Sequence, residues 1–492
     1  MKRRAKIVAT LGPASAEETV LAQLLRAGAD VIRFNLSHGT LDSHRRNLKL
    51  VRRVSSELGR HVPVLLDLMG PRFRLGVLAE PRVLRRSERV TLGEAARGAE
   101  LPVDDHGFLR HLRIGERVLI DNGLVELEVL ARRAGLVAAR VVHGGTVSTR
   151  KGINLPDSKI PFSISEKDRA DVAFAVAEQA DYLGASYIGR GRDVEALREV
   201  VRAFGDDIPI VAKLERAVAV EHIDEIVDAA DAVMVARGDL GVEVPLHQVP
   251  VLQKRIIAAG RRLGKPVIVA TQMLESMMTQ PRPTRAESSD VANAVFDGAD
   301  ALMLSGETAS GKYPVESVRT MSRIVVEAES YKLKLFAEGY PPPARDLPPG
   351  RFPAPAPRTF DTQELDGAVE IADVIAASAV HAASKLANSR IVAFSQGGFT
   401  ARRLARYRPA VPTLVFTTDV RVARRIQLLW GTVPIRLERE VQHRGDLIQV
   451  VERELLVRRL VRPGECIILL MGYPIDEKPL TNLLRIHRVR SG

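Results

Sequence analysis

The chain has very little cysteine and few aromatic residues, and both scarcities restrict what it can be. A single cysteine, Cys466, among 492 residues excludes an internal disulfide and is typical of a reducing compartment. Aromatic residues make up 4% of the chain, too few for the stacking surfaces that bind single-stranded nucleic acid. The sequence also lacks a secretory signal and any apolar stretch long enough to span a bilayer. We therefore expect a cytoplasmic protein without a membrane partner.

Positive charge exceeds negative charge, but its distribution argues against nucleic acid as a main partner. Lysine and arginine number 72 against 60 aspartates and glutamates, which gives a net charge of +12. The arginines are spread along the whole chain and fall on predicted helix faces, as at residues 421–425, instead of forming one basic stripe. We interpret this as a general arginine bias, which would also suit anionic substrates.

Eight apolar runs alternate with helical patterns over the first two thirds of the chain. A continuous apolar run is typical of a parallel strand buried on both faces, and alternation with helices indicates right-handed crossover units. Eight units over about 250 residues favour a closed (β/α)8 TIM barrel. A doubly wound open sheet is the alternative, but no G-x-G-x-x-G follows the first run, where residues 10–15 read TLGPAS. The predicted strands are residues 6–11, 30–34, 62–66, 182–188, 208–212, 232–235, 266–270 and 301–304.

The residue pattern and composition change at two places along the chain, which indicates further domains. A chain of this length should hold about two to four domains. Residues 70–157 carry short alternating segments separated by turn signals, which predicts an inserted small β-barrel domain. Its place beyond a strand end suggests a lid, with a passive insert as the alternative. Residues 339–358 are proline-rich and predict a linker, after which helix and strand patterns resume. We expect an α/β catalytic barrel at 1–69 and 158–338, the lid at 70–157, and a C-terminal α/β regulatory domain at 359–492.

Chemically active residues stand where predicted strands end. The run 210–215 reads IVAKLE, and in a strand Lys213 and Glu215 would share a face. The next strand is followed by Asp239, so two carboxylates and a lysine would meet at the barrel mouth. Carboxylates are suited to Mg²⁺ or Mn²⁺, and a neighbouring lysine is suited to neutralising a phosphoryl group in transfer. A simple buried Lys–Glu ion pair is the alternative, although the strand-end position favours a function.

Two further strand ends add polar groups to the same predicted mouth. Arg33 and Asn35 alternate in the second strand, which places a cation and an amide on one face. Thr271 ends the seventh strand, where its hydroxyl could position a water molecule or donate a proton. Residues 306–312 have the spacing of a phosphate-binding P-loop, but Tyr313 stands where Ser or Thr must bind Mg²⁺, and Pro314 follows. We therefore do not expect a P-loop there.

Taken together, these features and the motifs around them resemble the pyruvate kinase family over nearly the full length of the chain. The resemblance includes the segments KIVATLGPAS, DVIRFNLSHG, KGINLP, SEKD, MVARGDLGVE and ATQMLESM. It continues through RPTRAE, DVANAV and MLSGET to TNLLRIHRV near the end of the chain. Such an ordered series is too specific to arise by chance.

The resemblance implies transfer of the phosphoryl group of phosphoenolpyruvate to ADP, giving pyruvate and ATP, with Mg²⁺ or Mn²⁺. It also implies a homotetramer and a phosphorylated allosteric effector. By the motifs, Lys213 would stabilise the transferring phosphoryl group, Thr271 would serve protonation of the enolate, and Arg33 would bind phosphate. The matched sets are Arg33, Lys213, Gly238, Asp239 and Thr271 for substrate, Glu215 and Asp239 for the divalent metal, and Asn35, His38, Arg74 and Arg190 for nucleotide.

Departures from the family pattern concern the monovalent cation. Potassium-dependent members carry a glutamate where this chain has Arg72, and threonines where it has Leu68 and Leu75. This pattern resembles the subgroup in which a fixed cation replaces K⁺, so we predict K⁺-independent activity. The positions that match ligands of the monovalent site, expected to be vestigial here, are Asn35, Ser37, Asp67 and Leu68. Many members also have arginine at Gly189 and lysine at Arg190.

The C-terminal domain resembles the effector domain of the family. Residues 395–400 read SQGGFT before a predicted helix, and Ser395, Gly397, Gly398 and Thr400 could hold an effector phosphate. An ordinary strand–helix turn is the alternative, and the sequence does not identify the effector.

Two other functions compete with an active pyruvate kinase. One is a barrel that uses phosphoenolpyruvate to phosphorylate a different acceptor. The other is a catalytically silent regulator or RNA-binding scaffold. Retention of Lys213, Glu215, Asp239 and Thr271 favours the active enzyme.

Overall fold

The computed structural model describes residues 3–71, 73–105, 107–133, 135–158, 160–337, 371–438, 444–473 and 481–490. Arg72 and the predicted linker at 339–358 lie outside the described residues. In the described ranges, no helix combines the length and apolar character that crossing a membrane requires. Strands and helices are numbered in chain order.

Eight parallel strands close into a barrel, which confirms the predicted fold and excludes the open sheet. Around the barrel the strands follow one another in sequence order, and nearly every residue in them is buried, as a continuous aliphatic run predicts. The fourth strand ends three residues earlier than expected because Tyr187 has a φ of 62° and leaves the extended conformation. The barrel strands are β1 (Lys6–Thr10), β2 (Val31–Asn35), β3 (Val64–Asp67), β13 (Tyr182–Ala185), β14 (Ile210–Leu214), β15 (Ala232–Ala236), β16 (Val267–Ala270) and β17 (Ala301–Leu304).

Helices surround the barrel and bury its outer face in one continuous aliphatic core. Several begin at hydroxyl caps, such as Ser165 and Thr284, whose side chains accept hydrogen bonds from the first turn. The helices are α1 (Glu18–Ala27), α2 (Leu41–Glu57), α3 (Glu166–Ala177), α4 (Gly191–Ala203), α5 (Ala217–Glu221), α6 (Ile223–Ala229), α7 (Arg237–Glu243), α8 (Val249–Leu263), α9 (Arg285–Asp297), α10 (Gly306–Ala309) and α11 (Pro314–Ala337).

Four aspartates begin alternate barrel strands in the same way. Each directly precedes β2, β13, β15 or β17, and each follows an alanine in the sequence. The carboxylate accepts a hydrogen bond from a backbone N–H of the preceding barrel strand, and the aspartate's own N–H donates to the carbonyl of that same residue. These bonds measure 2.8–3.0 Å and fix the register of four strand pairs. The pairs are Asp30 with Ile7, Asp181 with Val64, Asp231 with Ile210, and Asp300 with Val267.

The insert between β3 and β13 is an all-β domain, as predicted. Seven strands form one sheet in the order β4-β12-β8-β9-β10-β6-β7, and a bridge between Leu75 and Val103 joins its two edges into a small barrel. One of the turns between these strands, at residues 121–123, has positive φ at all three residues. The strands are β4 (Phe73–Arg74), β5 (Arg82–Leu84), β6 (Arg89–Gly93), β7 (Leu101–Pro102), β8 (Arg117–Ile120), β9 (Val125–Arg133), β10 (Leu136–His143), β11 (Gly145–Val147) and β12 (Gly152–Asn154).

The C-terminal domain is a five-stranded α/β sheet in the order β20-β19-β18-β21-β22, with only β22 antiparallel. Separate apolar clusters cover its two faces. The strands are β18 (Ser389–Phe394), β19 (Thr413–Thr417), β20 (Thr432–Arg436), β21 (Cys466–Met471) and β22 (Leu483–Arg488), and the helices are α12 (Ile371–Lys385), α13 (Phe399–Arg406), α14 (Val420–Arg425) and α15 (Arg444–Val457).

The C-terminal domain closes the end of the barrel at which the strands begin. Leu428 packs among the side chains that fill the barrel interior. Arg424 pairs with Asp181 at 2.7 Å and Arg408 with Asp300 at 2.5 Å, and these aspartates precede β13 and β17, which lie opposite each other in the barrel. Two of the four repeated aspartates therefore fasten the C-terminal domain, and the other end of the barrel stays open for a site.

Replacing Asp300 by Asn tests this fastening. The amide oxygen can still accept from the Val267 N–H, but Arg408 loses its charged partner, and breaking a buried ion pair costs about 3–5 kcal/mol. We expect the fluorescence unfolding transition of Trp430, the only tryptophan and a neighbour of Arg408, to move to lower denaturant concentration. Asp231→Asn, whose partners lie within the barrel, should leave the native Trp430 emission unchanged. An unshifted transition for Asp300→Asn would refute the fastening role.

Candidate active site

The carboxyl ends of the barrel strands bring together the charged side chains that the sequence predicted there. Arg33 lies in β2, Lys213 lies in β14, and Glu215 directly follows β14. Asp239 lies in the first turn of α7, which begins where β15 ends. Because the strands are parallel, all these ends meet at one mouth of the barrel.

Asp67, the last residue of β3, is the anion at the centre of the cluster. Its side chain is 1% exposed, and its Oδ2 accepts hydrogen bonds from Arg33 Nε at 2.9 Å and Nη2 at 2.5 Å. Its Oδ1 lies 3.6 Å from Lys213 Nζ. Arg33 Nη1 donates to Thr10 Oγ1 at 3.1 Å. Because an unpaired buried charge is costly, one carboxylate opposite two cations allows all three groups to be buried.

Lys213 is a buried cation with three oxygen neighbours. Its Nζ donates to Ser186 Oγ at 2.8 Å and lies 3.1 Å from Glu215 Oε2, in addition to the Asp67 contact. Burial, the largest influence, lowers the pKa of Lys213, but the charges of Asp67 and two further carboxylates outweigh it and leave the pKa above its ordinary value. Lys213 therefore keeps its positive charge at neutral pH.

The two carboxylate oxygens of Glu215 have different neighbours. Oε1 accepts from the Tyr187 N–H at 2.6 Å, whereas the buried Oε2 faces Lys213 Nζ at 3.1 Å and makes no well-aligned hydrogen bond among the described residues. Burial raises the pKa of Glu215, Lys213 opposes this, and the negative charge of Asp239 raises the pKa further. A divalent cation beside Glu215 and Asp239 would relieve both the desolvation and the repulsion, so the donor set fits such an ion.

No group of three or more His, Cys, Asp or Glu side chains suited to a metal occurs in the described part of the chain. Two carboxylates alone leave several coordination positions for substrate oxygens and water. That pattern is typical of Mg²⁺ sites that work on phosphates.

Thr271 follows β16 in a strained backbone conformation. Its φ is 68°, which a β-branched residue rarely adopts, and the φ of Gln272 is also positive, at 53°. Arg237 holds the turn in place by donating to the Thr271 carbonyl at 2.7 Å and the Gln272 carbonyl at 3.1 Å. As a result, Thr271 Oγ1 accepts from the Gly238 N–H at 2.7 Å and donates to the Ala270 carbonyl at 2.6 Å. The hydroxyl is thus fixed beside the residue that precedes Asp239.

The other predicted site residues near the ends of β2 and β3 make local contacts with backbone groups. Asn35 ends β2 and its Oδ1 accepts from the Ser37 N–H at 3.1 Å, while the carbonyl of His38 contacts His44 Nε2 at 2.7 Å. The carbonyl of Leu68, adjacent to Asp67, accepts from the hydroxyl that contacts Lys213.

Two predicted nucleotide residues stand apart from the cluster. Arg74 lies on strand β4 of the inserted domain, and Arg190 lies at the exposed start of α4. Neither side chain is hydrogen-bonded to the Lys213 cluster within the described ranges.

Three residues of the site have roles that the sequence alone does not indicate in full. Ser186, which contacts Lys213, follows β13 and could have been noted as another polar strand end. Asp67 was assigned only to the monovalent site, although its position at the end of β3 matched the same rule. Arg237, which fixes Thr271, sits inside the ARGD segment of α7 but carries no signal of its own.

The predicted effector loop lies between β18 and α13. Gly398 has a φ of 78° and precedes α13, while Ser395 and Thr400 are buried. Thr400 Oγ1 is hydrogen-bonded to Thr481 Oγ1 at 2.7 Å. The loop thus has backbone groups free of side-chain cover near Gly397, where an added Cβ would meet no atom within 4 Å.

Residues 306–312 do not form a phosphate loop. The buried carboxylate of Glu307 accepts from the Ser305 N–H at 2.8 Å and the Leu274 N–H at 3.1 Å. The N–H groups of residues 309–312 donate to backbone carbonyls at 2.9–3.1 Å, so donors that a phosphate would need are already used, as expected.

Comparison with known proteins agrees with this geometry. A family model for the pyruvate kinase barrel domain matches residues 2–318, and one for the pyruvate kinase alpha/beta domain matches residues 373–487. The chain belongs to the pyruvate kinase family.

Individual relatives match over almost the whole chain. A pyruvate kinase of Mycobacterium tuberculosis is 41% identical over 99% of this chain and 99% of its own length. One of Geobacillus stearothermophilus is 39% identical over 99% of this chain and 80% of its own length. One of Agrobacterium vitis is 37% identical over 99% and 97%, respectively.

Gly184→Ala tests whether Asp67 organises the cluster. A Cβ at Gly184 would lie 2.6 Å from Asp67 Oδ1 and 3.2 Å from its Cα, so the carboxylate must move. A displacement of about 1 Å in a catalytic cluster can cost about 100-fold in rate, and we expect a loss of that order in pyruvate formation from phosphoenolpyruvate and ADP. Gly152→Ala, where a Cβ meets nothing within 4 Å, is the matched control. Equal rates for the two variants would refute the role of Asp67.

Proposed function

We propose that this chain transfers the phosphoryl group of phosphoenolpyruvate to ADP, giving pyruvate and ATP, and that the cluster around Lys213 carries out the transfer. The observation on which this rests is the buried Lys213 ammonium, held between Asp67 and Glu215 at the barrel mouth. Membership of the pyruvate kinase family supports the same reaction and the use of Mg²⁺ or Mn²⁺.

The proposed metal ligands are Glu215 and Asp239. When bound, the ion would neutralise charge on phosphoryl oxygens and on the substrate. The burial of Glu215, whose Oε2 is ion-paired with Lys213 but makes no well-aligned hydrogen bond among the described residues, and the mutual repulsion of the two carboxylates support this assignment.

Lys213 and Arg33 are proposed to bind the phosphoryl group during transfer. Lys213 keeps its charge in a water-poor position, where a fixed cation stabilises developing negative charge more than in solvent. Arg33 spends three of its five N–H groups on Asp67 and Thr10, which leaves two for a phosphate. The P–O bond to the enol oxygen would break as a P–O bond to the terminal ADP oxygen forms.

Thr271 is proposed to serve the second half of the reaction. The enolate left by phosphoryl transfer becomes pyruvate when its methylene carbon takes up a proton. The Thr271 hydroxyl is fixed by Gly238 and Ala270 and can hold a water molecule or relay the proton at that carbon. Gly238 and Asp239 would contact the substrate beside it.

The remaining assignments are also proposals. Asn35, His38, Arg74 and Arg190 would contact the nucleotide, and the lid at 70–157 would close over it and exclude water. The barrel would comprise 1–69 and 158–338, followed by the linker at 339–358 and a regulatory domain at 359–492. The loop bearing Ser395, Gly397, Gly398 and Thr400 would bind an effector phosphate, and the assembly would be a homotetramer.

Lys213→Met separates chemistry from metal binding. The loss of a preorganised cation should lower kcat about 100- to 1,000-fold, because the lost charge acts mainly in the transition state. The variant should still bind Mn²⁺, which is measured by the loss of the electron paramagnetic resonance signal of the free ion. Lys49→Met, at an exposed position of α2, should match the wild type in both assays. No pyruvate from the wild-type chain with either metal would favour the silent regulator, and full turnover by Lys213→Met would refute the assigned role.

We further propose that the activity does not require K⁺. The support comes from the sequence: Arg72 stands where K⁺-dependent members of the family carry a glutamate, and its fixed charge would take the place of the ion. Turnover in K⁺, Na⁺ and tetramethylammonium should agree within about twofold.

Arg72→Glu should then acquire activation by K⁺, because a carboxylate at this position would favour a bound cation. Arg113→Glu, which makes the same charge change at an exposed lid position, is the control. Strong K⁺ activation of the wild-type chain would overturn the proposal.

A further inference from the structure

A buried carboxylate joins the lid to the barrel. Glu243, the last residue of α7, is 8% exposed. Its Oε1 accepts a hydrogen bond from Asn154 Nδ2 at 3.3 Å, and Asn154 ends β12, the last strand of the lid. The Glu243 carboxylate also accepts from the Ala217 N–H. The Glu243 side chain, which belongs to α7, thus contacts both the lid and the start of α5.

Arg216 makes a second connection beside it. Arg216 is 9% exposed, and its Nη1 donates to the carbonyl of Ile160, in the segment by which the chain returns from the lid to the barrel, at 3.2 Å. Its charge is the strongest of those that stabilise the ionised Glu243, and both residues line the same cleft between lid and barrel.

These contacts end on the two segments that carry the proposed metal ligands. Arg216 and Ala217 directly follow Glu215 in the chain. Glu243 is in α7, one helical turn after Asp239. Any movement of the lid relative to the barrel must therefore break these contacts or displace the segments that present Glu215 and Asp239.

We propose that Asn154, Arg216 and Glu243, here called the lid latch, are positioning residues that couple the place of the lid to the geometry of the divalent-metal ligands. The latch holds the two carboxylate-bearing segments together while it holds the lid. A metal ion then binds ligands that are already ordered, and less affinity is lost to ordering them. This inference rests on the proposed function, because that proposal identifies Glu215 and Asp239 as the metal ligands.

The test measures metal binding by the full chain in the absence of substrate. A net contribution near 1 kcal/mol per hydrogen bond, somewhat more for a charged partner, predicts about three- to tenfold weaker Mn²⁺ binding for Asn154→Ala and for Arg216→Gln, read by electron paramagnetic resonance. Arg216→Lys, which keeps a cation and a donor for the Ile160 carbonyl, should recover most of the affinity. Arg192→Gln, at an exposed position of α4, should bind Mn²⁺ like the wild type.

A second readout follows the lid itself. Amide hydrogen exchange in residues 152–158 should be faster in Asn154→Ala and Arg216→Gln than in the wild type, and slower again when Mn²⁺ is added. A merely structural role would change exchange without changing Mn²⁺ affinity, and that result overturns the coupling.

Failure of the inference is distinguishable from failure of the proposed function. If the wild-type chain binds no Mn²⁺ and forms no pyruvate, the proposed function fails. If the wild-type chain does both, and Asn154→Ala and Arg216→Gln bind Mn²⁺ with unchanged affinity, only the latch is refuted. Native Trp430 emission in each variant confirms that the fold is intact.

Discussion

The contact of the Asp67 carboxylate with Arg33 and Lys213 is the interaction on which the barrel mouth depends. Three strands supply the three groups, so they meet only if the barrel closes in the observed register. None of the charges could be buried without the others. The close approach of Gly184 to Asp67 shows how tightly the neighbouring strand β13 constrains this contact. The neighbouring carboxylates keep the buried Lys213 charged, and one of them, Glu215, stands beside it as a proposed metal ligand.

The two ends of the barrel use charge for different purposes. At the mouth, buried carboxylates and cations are held close together, which suits the binding of a charged ligand. At the opposite end, Asp181 and Asp300 satisfy backbone donors and also pair with arginines of the C-terminal domain. The inserted domain contacts the barrel separately at the mouth, through the hydrogen bond of Asn154 to Glu243. Each domain thus contacts the barrel at the end where its proposed role requires it.

The sequence predicted much of this because the relevant signals are local. Apolar runs located all eight barrel strands, and the position directly after a run identified Lys213 and Glu215. Other features depend on contacts between distant residues that no local pattern reveals. Asn154 and Glu243 are 89 positions apart, and the left-handed backbone of Thr271 is imposed by Arg237 against the residue's own preference. The Ala-Asp pairs before alternate strands were visible in the sequence, but their meaning required the strand pairing.

The most direct measurement of the central claim is an anomalous diffraction map from crystals of the chain grown with Mn²⁺. The account predicts one strong peak at the barrel mouth, about 2.1 Å from carboxylate oxygens of both Glu215 and Asp239, with Lys213 next to it but not bound to it. A mouth without a peak, or a peak held by other residues, would contradict the account.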